Sequence, residues 1–152
     1  MNKIIIDSNI IFSALLNINS RIGQILINGN EKFDFFAPEY VRYEILEHQL
    51  KIKKFAHLTD IEFLELFELV MRNIKILNHS IIPAKFYTDA IKLCESIDID
   101  DAVFIAFAEF LKGNLWTGDR KLIKGLTEKG FKRIVTTENI YSDFLDKQSR
   151  GN

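Results

Sequence analysis

Lys3-Ile4-Ile5-Ile6 is a short, uninterrupted, β-branched run that stops abruptly at Asp7-Ser8-Asn9. A strand of this kind has no face to give to water, so it belongs inside a parallel sheet covered on both sides. Ser8 and Asn9 are suitable N-cap residues for an apolar helix from Ile10 to Leu16. Asp7 therefore stands at the carboxyl end of a central strand, where open α/β sheets place their ligands.

The same alternation continues along the chain. Ile22, Ile25 and Leu26 give helical spacing before the turn Asn28-Gly29-Asn30. A second strand over Phe33 to Ala37 is closed by Pro38, and Tyr40 to Lys54 reads as one helix with Val41, Ile45, Leu46 and Leu50 on one face. Thr59-Asp60-Ile61-Glu62 has the pattern of a capping box. The stripe Phe63, Leu66, Phe67, Val70 and Met71 that follows suits a core face or a surface for self-association or a partner. Lys75 to Leu77 is a third strand, and Pro83 opens a helix through Ile91, Leu93 and Cys94. Seven apolar residues, Ala102 to Ala108, make a buried helix, which breaks at Gly113-Asn114 ahead of the short strand Leu115-Trp116-Thr117. A basic helix from Arg120 to Lys129, a last strand from Arg133 to Thr136 and a helix from Thr137 to Asp146 complete the pattern. The expected fold is a three-layer α/β/α sandwich around a central, mostly parallel sheet of four to five strands. It forms one domain over residues 1–147, with a frayed tail at 148–152.

Composition narrows the function. The 20 basic and 21 acidic side chains nearly cancel, which argues against a protein held to nucleic acid by a general positive field. Cys94 is the single cysteine, so there is neither a disulfide framework nor a cysteine zinc site, and an inert core thiol is expected. His48, His57 and His79 lack the close spacing of helical metal ligands and read as surface or capping residues. Asp7 interrupts the apolar start, so no signal peptide is read there, and no apolar run approaches the roughly 18 residues of a membrane span. The expected setting is cytoplasmic.

What remains distinctive is where the acids fall. Asp7 and Asp119 end strands, Asp101 opens the buried helix between them, and Glu44 lies beside the apolar stripe of its own helix. Asp98 and Asp101 are three apart and face one way if both are helical. A single acid in a first turn often does no more than complement the helix dipole. Convergence would be different: two carboxylates about 5 Å apart repel by roughly 3 kcal/mol at an effective dielectric of about 20. Either their pKa values rise or a cation neutralises them. Oxygen ligands without histidine or cysteine favour a hard cation, Mg²⁺ or Mn²⁺.

The order Asp7-Ser8-Asn9, Glu44, Asp98-x-Asp100-Asp101-Ala102, Trp116-Thr117-Gly118-Asp119 resembles the PIN domain, the ribonuclease fold of VapC-type toxins in toxin–antitoxin pairs. The likeness runs from residue 3 to about residue 145. It implies a Mg²⁺- or Mn²⁺-dependent endoribonuclease with Asp7, Glu44, Asp101 and Asp119 as its acidic quartet. Asp7 and Asp101 would bind metal directly, and Glu44 and Asp119 would bind it or orient the attacking water. Asp98 matches a subsidiary acidic position, whereas Asp100 is left with helix capping. Ser8 or Asn9, with Thr117, match polar positions that line the site. Arg120, Lys121 and Lys124 are candidates for holding flanking phosphates, or form a solvated helix face. Implied partners are an RNA substrate, a cognate antitoxin and a second copy of the chain.

Two other readings fit parts of the pattern. A PIN-like fold can serve as a partner-binding module without catalysis. A haloacid-dehalogenase-like phosphatase also places an aspartate after its first strand and uses a later Gly-Asp. It needs a second acid where this chain has Asn9, and another where it has Lys121 to Lys124.

Overall fold

The computed structural model describes residues 2–150, with side chains described through Asp146. Five strands, β1 (Asn2–Ile6), β2 (Phe33–Pro38), β3 (Ile74–Leu77), β4 (Asn114–Trp116) and β5 (Ile134–Val135), form one sheet in the order β3-β2-β1-β4-β5. Every neighbouring pair is parallel. Helices α1 (Ser8–Leu16), α2 (Arg21–Asn28), α3 (Tyr40–Glu47), α4 (Gln49–Ala56) and α5 (Asp60–Met71) precede β3 or separate the first strands. Helices α6 (Ala84–Cys94), α7 (Ala102–Leu111), α8 (Arg120–Glu128) and α9 (Thr137–Arg150) follow. Of the expected tail at 148–152, residues 151 and 152 lie outside the described residues, and the α9 backbone is continuous to Arg150.

The sheet is sandwiched as its residues demand. Ile4, Ile5, Ile6, Phe33, Phe35, Leu115 and Trp116 are all buried, which needs helices on both faces. α7, apolar nearly all round, lies against β1, β2 and β4 and packs on α6, while α1 packs with α2, α4 and α5. Gly113 sets how closely the chain returns from α7 into β4. A Cβ there would stand 2.6 Å from Ile5 Cδ1 and 2.8 Å from the Lys3 carbonyl oxygen. Among the described residues no single helix is long and apolar enough to cross a membrane.

The strand order fixes where a site can form. From β1 the chain builds outward through β2 and β3, then crosses to the other side of β1 to lay down β4 and β5. The order therefore reverses between β1 and β4, and the crevice beyond the carboxyl ends of those two strands is the topological switch point. Asp7 follows β1, and Thr117-Gly118-Asp119 follow β4.

Several local expectations are corrected. The helix expected over Tyr40 to Lys54 is two helices, broken at His48, whose backbone leaves the helical region at ψ 13°. The His48 ring Nδ1 lies 2.9 Å from the Glu44 carbonyl oxygen at this joint. Ser8 and Asn9 do not cap α1; Asp7 does, accepting from the Asn9 amide at 3.4 Å, so Ser8 is already helical. Asp100 caps nothing: Asp98 accepts from the Asp100 amide at 3.0 Å and opens a 3₁₀ turn over Ile99–Asp101. Asp98 and Asp101 therefore do not share an α-helical face. The α5 stripe faces inward, with Phe63, Phe67, Val70 and Met71 buried and Leu66 packed against them, so it is core. The capping box before it is present, with Thr59 Oγ1 accepting from the Glu62 amide at 3.1 Å and Glu62 Oε1 from the Thr59 amide at 3.0 Å. Cys94 is buried, and burial pushes its thiol up to about 11.

Candidate active site

Asp7 is the centre of the crevice. It is 4% exposed, held at the end of β1 by its amide bond to the Trp116 carbonyl oxygen at 3.2 Å. The Thr117 hydroxyl donates to Asp7 Oδ2 at 2.7 Å and accepts from the Asp119 amide at 3.1 Å. One buried hydroxyl thus ties the carboxyl end of β1 to the carboxyl end of β4. Asp119 caps α8, its Oδ1 accepting from the Lys121 and Leu122 amides at 3.0 and 3.1 Å, with Oδ2 left over. On the other side of Asp7, the Ser8 hydroxyl donates to Glu44 Oε1 at 2.5 Å. That bond brings α3 against the start of α1.

The electrostatics show that these acids share one space. Burial, followed by the charges of Asp7, Asp98, Asp119 and Asp100, pushes Asp101 up to about 7. Burial also raises Asp7 and Glu44, which feel the charges of Asp119 and of Asp7 respectively. Glu44 in turn holds the phenol of Tyr40, four residues earlier on α3, above its ordinary range. The three ion pairs among the described residues, Lys53–Asp60, Lys75–Asp34 and Arg133–Glu109, involve none of these acids, and only the charge of His48, beside Glu44, works against the rise there.

The described residues contain no three His, Cys, Asp or Glu side chains closed on a single point. Like charges turned onto neutral donors keep apart, and Asp7, Glu44 and Asp119 each have such a donor. The donor set nevertheless fits a hard divalent cation: it is all carboxylate oxygen, and among the described residues Glu44 Oε2, Asp119 Oδ2 and both Asp101 oxygens carry no hydrogen bond.

The sequence profile of the PIN domain matches residues 5–141. The chain belongs to the PIN domain family. Its fold is also that of two solved structures, each too distant in sequence to say more than fold. PAE2754 from Pyrobaculum aerophilum superposes with a TM-score of 0.67 at 15% identity, covering 95% of this chain and 90% of that one. VapBC2 from Rickettsia felis, bound to a DNA fragment from their promoter, gives 0.62 at 14% identity, covering 88% and 96%. No curated protein matches the chain by sequence.

In this PIN domain Asp7 and Asp119 follow β1 and β4 at the switch point, Asp101 feels the charges of Asp7, Asp98 and Asp119, and Glu44 feels that of Asp7. Ser8 and Thr117, expected among the residues lining the site, are 4% and 1% exposed, and their hydroxyls are committed to Glu44 and Asp7. They lie beneath the carboxylates. Asn9 is exposed on the crevice side. Arg120, Lys121 and Lys124 are exposed and unpaired; Lys121 and Lys124 edge a cleft of about 240 Å³ with Ser96 and Ile97, beside the Asp98 loop. Tyr40, at the crevice rim, carries no sequence signal beyond an aromatic at the start of a helix.

Proposed function

We propose that this PIN domain is a divalent-metal-dependent endoribonuclease. The observation that carries the reading is the group of acids at the switch point, where burial and then the neighbouring charges push Asp101 up to about 7. Membership of a family whose members are generally nucleases supports it. Mg²⁺ or Mn²⁺ would be held by Asp7, Glu44, Asp101 and Asp119 with Asp98 beside them, and when bound would polarise the phosphoryl oxygen and lower the pKa of water. Asp7 and Asp101 are assigned as direct ligands; Glu44 and Asp119 are assigned to bind the ion or to orient the attacking water. Thr117 and Ser8 orient Asp7 and Glu44 by a hydrogen bond each, which reduces the reorganisation the acids need when charge develops. Lys121 and Lys124, with Arg120, would take phosphates flanking the cut, and Asn9 would meet the strand at the edge.

Within this reading we assign the chain to the toxin half of a toxin–antitoxin pair. The support is a groove of about 370 Å³ that runs from Asn9 and Glu44 past Phe12 and His48 to Leu16 and Phe55. Leu16 and Phe55 are 47% and 65% exposed, an apolar lining that suits a protein segment reaching toward the carboxylates. The likeness of the fold to VapBC2 points the same way.

The test incubates purified protein with single-stranded and structured RNA in Mg²⁺, Mn²⁺ or chelator, beside Asp7→Asn and Asp101→Asn. Internal cleavage that needs metal and is lost in both variants is expected. Cleavage in chelator, or full activity in both variants, refutes the site.

A further inference from the structure

Next to the carboxylate crevice lies a second, separate cleft of about 400 Å³, lined by Pro38, Glu39, Tyr40, His79, Asp100 and Val103. Two of its residues tie it to the crevice. Tyr40 sits four positions before Glu44 on α3, so the two side chains are neighbours on one helix face. Asp100 immediately precedes Asp101.

The rim is fixed by hydrogen bonds that leave its side chains free. The Glu39 amide donates to the Leu77 carbonyl oxygen at 3.2 Å, and the Tyr87 hydroxyl donates to the His79 carbonyl oxygen at 2.7 Å. The Tyr40 ring is 47% exposed. Among the described residues, neither the Glu39 nor the Asp100 carboxylate makes a hydrogen bond or an ion pair.

A cleft lined by two rings, the apolar Pro38 and Val103, and two free carboxylates suits a flat heterocycle with hydrogen-bond donors better than a phosphate. The volume falls within the roughly 300–1,000 Å³ of small-ligand clefts, and unpaired RNA bases are recognised by stacking on such aromatics. The acceptors decide which base. A carboxylate takes two parallel donors, and the pairing edge of guanine offers N1–H and N2–H side by side. Uracil offers one N–H flanked by carbonyl oxygens, which a carboxylate repels.

We propose that this cleft is a nucleobase subsite, in which Tyr40 stacks an unpaired base of the RNA next to the scissile phosphate and Asp100 selects guanine. The proposal rests on the ribonuclease reading for its setting, but its test does not require cleavage. Labelled oligouridine hexamers carrying one central guanosine, adenosine or cytidine are titrated in chelator, and binding is followed by fluorescence anisotropy. The guanosine hexamer is expected to bind about fivefold or more tighter than hexauridine. Tyr40→Ala should weaken it about tenfold, and Tyr40→Phe should restore it. Asp100→Asn, with one donor in place of an acceptor, should erase the preference for guanosine while keeping the stacking contribution. Equal binding of all four hexamers, or RNA binding indifferent to Tyr40→Ala, overturns the proposal; the latter result would give the ring to a protein partner. Metal-dependent cleavage that ignores base identity would overturn the subsite and leave the nuclease standing. Guanosine-selective, Tyr40-dependent binding without cleavage in any metal would do the reverse.

Discussion

Asp101→Asn should make the metal-free protein more stable at pH 8, although it removes a residue from the site. In the folded chain burial and four neighbouring acids move the Asp101 carboxyl from 3.8 to about 7. The unfolded chain releases the same proton near its ordinary value of about 3.9. Between those two values the folded state holds a proton that the unfolded state has lost, so stability falls as pH rises through the window. Below about pH 4 the group costs nothing; above about 7 the full penalty is present. Undamped, the change would correspond to about 4 kcal/mol. The side chain is only half-buried, and solvent screening reduces this to about 1–2 kcal/mol. Asparagine carries the shape without the charge, so it avoids the penalty. For a chain of this size the gain is about 2–8 °C in Tm. Urea or thermal unfolding of wild type and variant in chelator, from pH 4 to pH 8, measures it. The two curves should meet at the acid end and separate progressively above it. Saturating Mg²⁺ should close the gap by stabilising the wild type. A variant less stable than wild type at pH 8, or a gain that does not change with pH, would refute the claim that these acids are crowded.

Other outcomes follow from the same geometry. Thr117→Val strands the buried Asp7 carboxylate and the Asp119 amide together, so it should cost about 1–3 kcal/mol in urea unfolding and abolish cleavage, while Thr117→Ser retains both. Ser8→Ala releases Glu44 from its one donor and should lower turnover roughly tenfold with substrate affinity nearly unchanged, measured under saturating RNA. Gly113→Ala pushes a methyl into Ile5 and the Lys3 carbonyl and should destabilise by about 1–3 kcal/mol without altering the metal dependence of whatever activity remains.

How much of this was legible in the sequence varied with the range of the interaction. The buried strands were, because Ile4-Ile5-Ile6 and Leu115-Trp116 tolerate no solvent face, and the capping box at Thr59 is written within four residues. The break at His48 was not, because Leu46 and Leu50 keep the helical period across it, and only a backbone ψ of 13° separates the two helices. Capping was expected of Asp100 and belongs to Asp98 for a similar reason: closely spaced aspartates compete for the same amides, and the 3₁₀ turn gives the cap to Asp98. The acids of the site could be picked out by their places after strands and before helices. The family resemblance points to Ser8 and Thr117 as lining residues, but the acids they hold could not be read, because Ser8 meets Glu44 across 36 positions and Thr117 meets Asp7 across 110. Those pairings exist only once the strand order is known.

The bond between Thr117 and Asp7 also sets a schedule. Asp7 is made 110 positions before Thr117, and until that segment has been made and β4 has inserted beside β1 its carboxylate has only local backbone amides, such as that of Asn9, for partners. Nascent chains that stop anywhere before that point carry Asp7 and Glu44 as ordinary solvated acids. Under the proposed ribonuclease reading, a chain that stops before β4 has no assembled site and leaves its own messenger intact.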